Sequence, residues 1–371
     1  MTFQPIRFIH SNKDQSLFAS TLRKRVDSYF RDNKISRNNN TTMIIKSVVF
    51  LSAYIIPFIV ILFFNPSNLV SIGLWSLMGL SLSGIGMSIM HDANHGAYSA
   101  NQKVNYWMGN TLNLVGGSVF NWKLQHNVMH HTYTNIVDYD DDIADKLILK
   151  FNPHTQAKWY HKLQFIYAFL FYGILTLYWA LLKDFVQFGK YTKQGVNRST
   201  KEQNRVIFSK IVISKIIYFG VFFALPVFVF HIAFTKILLG YLIMQFISGI
   251  ILTVVFQLAH TVEGTTHPIP NDNFTIENNW FIHQMNTTVN FCRHNKIISW
   301  YVGGLNFQVE HHLFPSICHV HYPAISEIVK ATAKEFNVPY LENKTFMSAL
   351  KSHINAVIKF GKMPNINEAI V

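Results

Sequence analysis

Long apolar runs punctuate this chain, and most of them come in close pairs. Residues 43–64 (MIIKSVVFLSAYIIPFIVILFF) and 69–90 (LVSIGLWSLMGLSLSGIGMSIM) are separated by a short polar turn. The same holds for 211–234 (IVISKIIYFGVFFALPVFVFHIAF) and 237–259 (ILLGYLIMQFISGIILTVVFQLA). Each run is long enough to cross a hydrocarbon core of ~30 Å as a helix, so each pair predicts a helical hairpin. Pro57 and Pro226 are compatible with such helices, because neighbours satisfy the freed carbonyls. A fifth run, 163–182 (LQFIYAFLFYGILTLYWALL), leaves the count open.

Charge arbitrates. Residues 1–42 carry eight Lys/Arg against three Asp, and 183–206 carry six against two acids. Both stretches are expected on the cytoplasmic side by the positive-inside tendency. A fifth span over 163–182 would place 183–206 on the wrong side, so that run is expected to lie in the interface or to dip in and out. Five or six true spans with an external basic loop is the alternative on sequence alone.

Composition agrees with a membrane protein: 50% of the 371 residues are hydrophobic, 14% are charged, and the mean hydropathy is +0.18. The formal net charge of +13 finds its partner in anionic lipid headgroups, acyl-CoA phosphates or an acidic protein. Nucleic acid is not expected, since no soluble module interleaves stacking aromatics with Lys/Arg. Two cysteines, Cys292 and Cys318, are too few for a disulfide framework or a thiolate metal site and suit a reducing compartment. Residues 1–42 lack an apolar core followed by a cleavage site, so no signal peptide is expected. No repeat or second domain is visible. The expected organisation is a single domain, 1–371, all-α, with four transmembrane helices and a cytoplasmic helical cap. Its parts are a cytoplasmic segment (1–42), a first hairpin (43–90), a cytoplasmic stretch (91–162), an interfacial helix (163–182), a second hairpin (211–259) and the cap (260–371).

The histidines change the picture. His91 and His95 begin where the second span ends, His126, His130 and His131 follow, His260 closes the fourth span, and His311 and His312 come later. In the topology above they all fall on the cytoplasmic side. On an α-helix, residues four apart share a face, so His91/His95 and His126/His130 are each able to reach one metal. His131, turned by about 100° from His130, reaches toward a second. A lone pair of this kind is ordinarily a surface feature. Three clusters on one side of a membrane point to metal, since uncompensated imidazoles there cost free energy. Neutral imidazole suits iron, zinc and copper.

HDANHGAYS (91–99), HNVMHHTYTN (126–135) and GGLNFQVEHHLFP (303–315) resemble the three histidine boxes of the membrane fatty acid desaturase family, in order and over nearly the whole chain. Gln308, where many desaturases have histidine, resembles the front-end, linoleoyl-CoA desaturase-like subgroup, which inserts a double bond between an existing one and the carboxyl end. The resemblance implies two iron ions and dioxygen as co-substrate, held in a cytoplasmic cap on a four-helix stem. Carried over, the ligands are His91, His95, His126, His130, His131, His311 and His312, with His260 (FQLAHTVEG) resembling the additional histidine before the third box. Gln308 either binds directly, acts through water, or stands behind the ligands. Asp92, Glu310 and the acidic run Asp138, Asp140, Asp141 and Asp142 are candidates to orient imidazoles, with a solvated surface the equal alternative for each acid and the stronger one for the run. The chemistry fits independently: removing hydrogen from an unactivated methylene is beyond any side-chain acid or base.

A long-chain acyl substrate must reach that site through an apolar tunnel. Residues 104–122 are apolar but broken by Asn and Gly, and Trp107, Trp122, Tyr98 and Tyr133 are candidate wall residues, with interfacial aromatic positions as the equal alternative. Many front-end enzymes carry a fused b-type cytochrome with an HPGG motif. Residues 1–42 contain neither the motif nor room for it, so the expected electron donor is separate, a ferredoxin or a b-type cytochrome with its reductase. A membrane hydroxylase and a non-catalytic metal-binding or transport protein are the rival readings.

Overall fold

The computed structural model describes residues 3–9, 13–144 and 148–363. The described residues are mostly helical, with two short parallel strand pairs in addition: β1 (Arg7–Phe8) with β2 (Thr275–Ile276), and β3 (Asn290–Phe291) with β4 (Glu342–Asn343). Helix α1 spans Lys13–Asp32. Five helices are long and apolar enough to cross a membrane: α2 (Thr41–Phe64), α3 (Asn68–Asn94), α4 (Trp159–Gln194), α5 (Lys201–Val229) and α6 (Phe234–His260). Four of them coincide with the paired runs. The fifth, α4, is longer than the expected interfacial helix at 163–182, running for 36 residues. The remaining helices used below are α7 (Trp280–Thr287), α8 (Gln308–Leu313), α9 (Tyr322–Glu335) and α10 (Phe346–Lys362).

The chain forms two compact units, and neither division coincides with a Gly- or Pro-rich linker. One is built from Asn40–Leu124 and Phe169–Val254, the other from Gln4–Asn39, Gln125–Ala168 and the chain from Val255 onward.

In the first unit, local chemistry sets the helix ends. Asn40 accepts a hydrogen bond from the Met43 amide to start α2, and Asn65, left-handed at φ 39°, ends it. Thr200 and Gln203 form a reciprocal cap on α5. Pro226 sits in a π-helical stretch, Gly220–Val229, whose wider turn accommodates the missing amide hydrogen. Gly249 of α6 lies against α4 so closely that a Cβ there would stand 2.6 Å from the Gly173 carbonyl oxygen, the small-residue contact expected between helices in lipid.

The same unit explains why α4 outruns its apolar stretch. Asp184, fully buried, pairs with Lys215 of α5 at 2.7 Å. Lys215 Nζ also donates to the Trp179 carbonyl at 2.9 Å and to that of Gly116, while Asn121 Nδ2 donates to the Asp184 carbonyl at 2.7 Å. A charge that reads as a helix stop is neutralised inside the unit.

In the second unit, α1 presents Phe18, Leu22, Val26 and Phe30, one stripe at a spacing of four, to a core completed by Phe281 and Met285 of α7, Val309 and Leu313 of α8, and Ile325, Val329 and Ala333 of α9. Val309 and Leu313 commit one face of α8 to that core. The helical period therefore turns His311 to the opposite side, with Gln308 and His312 flanking it.

Two outcomes follow. Lys215→Met leaves Asp184 buried and unpaired, a loss of about 3–5 kcal/mol read as a lower Tm in detergent; pairing it with Asp184→Asn should restore most of that loss. His353 of α10 is buried, its Nδ1 donating to the Thr261 carbonyl at 2.7 Å, and burial pushes its pKa from 6.5 down to about 4. A folded pKa below the unfolded one means stability is complete above pH 6.5 and is lost as pH falls toward 4. His353→Gln should flatten thermal stability against pH across that window.

Candidate metal centre

The second histidine box lies on a helix that begins at Val119–Trp122 and continues as a π-helical stretch, Lys123–His130. The i→i+5 bonding of that stretch widens the turn and brings His126 and His131, five apart, to an Nε2–Nε2 distance of 3.2 Å. His126 and His130 stack with ring centroids 5.2 Å apart.

In the second unit six imidazoles gather. His130, His260 and His312 have ligand nitrogens within 4.8 Å of one another and are fully buried. His131, His311 and His312 form a second such group. The two groups share His312, whose ring centroid is 4.8 Å from that of His130 and 4.4 Å from that of His131. His126, His130 and Asp142 make a third grouping at the rim.

Hydrogen bonds fix which nitrogen of each ring faces the cluster. His130 Nδ1 lies 3.0 Å from Asp140 Oδ2, a carboxylate also held by the amides of Asn135 and Asp142 at 3.0 Å. His260 Nδ1 donates to the Thr287 carbonyl at 3.3 Å, and His312 Nδ1 lies 2.9 Å from Gln284 Oε1. Each of these partners accepts, so Nδ1 carries the proton and Nε2 the lone pair. Among the described residues, buried His130 Nε2 has no hydrogen-bond partner, as a metal-facing nitrogen would have none. His311 Nδ1 is 3.3 Å from the Tyr322 hydroxyl. Burial opposes charge on His130, but the Asp140 carboxylate outweighs it and raises the imidazole pKa; the same pairing keeps Asp140 below the usual carboxylate range despite full burial.

In the first unit, the His91 and His95 rings are 4.8 Å apart, and the Trp122 ring stands edge-on to both at 5.8 and 5.6 Å. Asp92 is buried, with Oδ1 3.8 Å from His91 Nδ1.

The other expected residues divide. Gln308 is buried and its amide approaches His260. The Glu310 carboxylate is engaged elsewhere among the described residues: it accepts from Asn290 Nδ2 at 2.7 Å and the Tyr340 hydroxyl at 3.0 Å, and burial raises its pKa to about 7. Asn290 Oδ1 accepts from the Val309 amide at 2.9 Å, so this network anchors α8 and not a ring. Of the acidic run, Asp140 is wholly buried and engaged with His130. Tyr98 is buried and shares a 3.0 Å hydrogen bond with Ser47, whereas Trp107 is 69% exposed, the position of an interfacial aromatic rather than an internal wall. Tyr133 is buried beside Tyr139. Gln284 and the Thr287 carbonyl were invisible to motif reading. The only trace of them is a polar pair, His283 and Gln284, inside the otherwise apolar start of α7.

These features define a helical, membrane-type protein with a buried centre of neutral imidazoles suited to a borderline transition metal. Residues 66–344 match the family described as fatty acid desaturase. The chain is 36% identical over 364 residues to an acyl-lipid (8-3)-desaturase of Physcomitrium patens, covering 97% of this chain and 75% of that protein. It is 35% identical over 353 residues to an sn-1 linoleoyl-lipid 6-desaturase of Arthrospira platensis, covering 94% and 93%. To an sn-1 linoleoyl-lipid 6-desaturase of Synechocystis sp. it is 32% identical over 346 residues, covering 93% and 96%. The chain belongs to the fatty acid desaturase family and is an oxidoreductase that desaturates fatty acyl chains. Among the three readings open on sequence, the family selects desaturation. It is a di-iron enzyme class, and the buried histidine clusters are compatible with such a centre.

Replacing Asp140 by Asn keeps the size of the side chain and removes its charge. Iron affinity should fall by about tenfold or more, measured as iron per chain after dialysis against a graded chelator.

Proposed function

We propose that this protein is a front-end desaturase acting on a polyunsaturated acyl chain carried by a membrane lipid, with two irons held by His91, His95, His126, His130, His131, His260, His311 and His312. The observation that carries the two-ion reading is the number of imidazoles whose ligand nitrogens lie close to one another, more than one ion can use. Gln308 stands in the box where many desaturases have histidine and approaches His260, which supports a place beside the ligands.

Bound iron supplies the dioxygen chemistry needed to remove hydrogen from an unactivated methylene. The chain's own residues prepare for it. Asp140, Gln284 and the Thr287 carbonyl hold the Nδ1 protons, keeping ligand nitrogens pointed inward. Burial of the cluster keeps water from competing with substrate and dioxygen. Trp122, flat against His91 and His95 in neither case but edge-on to both, is the wall candidate nearest to ligands.

Lipid as the acyl carrier is supported by the names of the relatives, which are acyl-lipid or linoleoyl-lipid desaturases. The active site faces the cytoplasm, on the distribution of Lys and Arg. Four helices span and α4 lies obliquely: its residues Gly173 and Thr176 meet α6 at Phe246 and Gln245, while Asp184 and Phe188 meet α5 at Lys215 and Phe208. Electrons come from a ferredoxin or a b-type cytochrome.

Expression in a desaturase-free host fed linoleate tests this. Fatty acid profiling by lipid class should find a new double bond on the carboxyl side of an existing one, first in glycerolipid, and His130→Ala should abolish it while the protein stays in the membrane. A new bond on the methyl side would overturn the front-end assignment.

A further inference from the structure

We infer that Gln284 is a positioning residue that ties the second histidine box to the third and fixes the ligand tautomer of His312; this rests on the metal-centre reading above. Gln284 lies on α7, fully buried, outside every histidine box. Its Nε2 donates to the His131 carbonyl at 3.0 Å, which fixes the orientation of the amide: the reverse orientation would set two acceptor oxygens against each other. Oε1 therefore faces His312 Nδ1 at 2.9 Å and the Thr134 hydroxyl at 3.0 Å. That hydroxyl is also 2.7 Å from the His130 carbonyl and 3.2 Å from His312 Nδ1, so its one proton cannot serve every oxygen around it. The amide oxygen is the partner that can only accept. It holds the proton on Nδ1 and leaves the His312 lone pair on Nε2, turned into the histidine cluster.

His312 is the ring common to the two groups, so its orientation bears on both ions at once. Gln284 also meets the His131 backbone, and His131 belongs to the second group. One uncharged side chain thus couples the spacing of boxes separated by more than a hundred residues of sequence. An amide suits this role better than a carboxylate, because one of its two contacts is with a carbonyl oxygen and requires a donor.

The test compares wild type, Gln284→Met and Gln284→Glu as purified full-length proteins, reading iron per chain and the rate of iron release to an excess of chelator. Methionine fills a similar volume without an acceptor; glutamate keeps an acceptor oxygen. Iron release should be at least about tenfold faster from Q284M than from wild type, with Q284E within a few-fold of wild type because it keeps the acceptor for His312 Nδ1 and loses only the donor to the His131 carbonyl, and Tm values confirming that all three are folded. Wild-type retention by Q284M overturns the inference, as does release from folded Q284E as fast as from Q284M. Should Q284M not be recovered folded, Q284E decides alone: release within a few-fold of wild type supports the inference and tenfold faster release overturns it. Wild-type protein that binds no iron overturns the metal-centre reading itself.

Discussion

An imidazole buried away from water has to place its single N–H on an acceptor before its other nitrogen can be offered to a metal, and this protein must meet that condition for six rings packed in one unit. For three of the rings, three chemically different acceptors meet it. A carboxylate serves His130, a side-chain amide oxygen serves His312 and a backbone carbonyl serves His260. The choice grades the ligands. A carboxylate makes its imidazole the strongest donor, whereas a carbonyl or amide leaves the ring less basic. The centre is therefore asymmetric in its electronics even though its ligand atoms are all imidazole nitrogens.

The rest of the second unit is arranged to deliver these acceptors. The apolar stripe of α1 and the faces of α7 and α9 build a core that takes up Val309 and Leu313, and the opposite side of α8 is thereby committed to the cluster. Asn290 and Tyr340 hold Glu310 from the side away from the rings, so a buried carboxyl at the centre of the third box is a structural anchor. In the second box the π-helical turn alters the register, and a pair five residues apart, His126 and His131, comes into contact beside the stacked pair four apart, His126 and His130.

The first unit handles polarity in another way. A deeply buried ion pair, Asp184 with Lys215, gathers the carbonyls of Gly116 and Trp179 and the amide of Asn121. Charges in such a setting are tolerated only when paired, and here the pairing allows a helix to continue past a residue that would otherwise end it. It also anchors residues 116–122, the segment that ends in Trp122 beside His91 and His95.

What was legible in the sequence is what depends on residue type alone. Histidines stand out in apolar surroundings, long apolar runs can be counted, and box spacing carries the family. Those features determined the paired membrane helices, the metal-binding character and the ligand candidates. What sequence could not weigh is which polar groups become buried together. Asp140 looks like the other acids of its run, Gln284 and the Thr287 carbonyl have no signature, Trp107 and Trp122 are the same residue type in opposite surroundings, and α4 reads as if it stops at Lys183. Each was decided by tertiary structure for one reason: a polar atom's role is set by the partner that compensates its desolvation, and that partner lies far away in the chain.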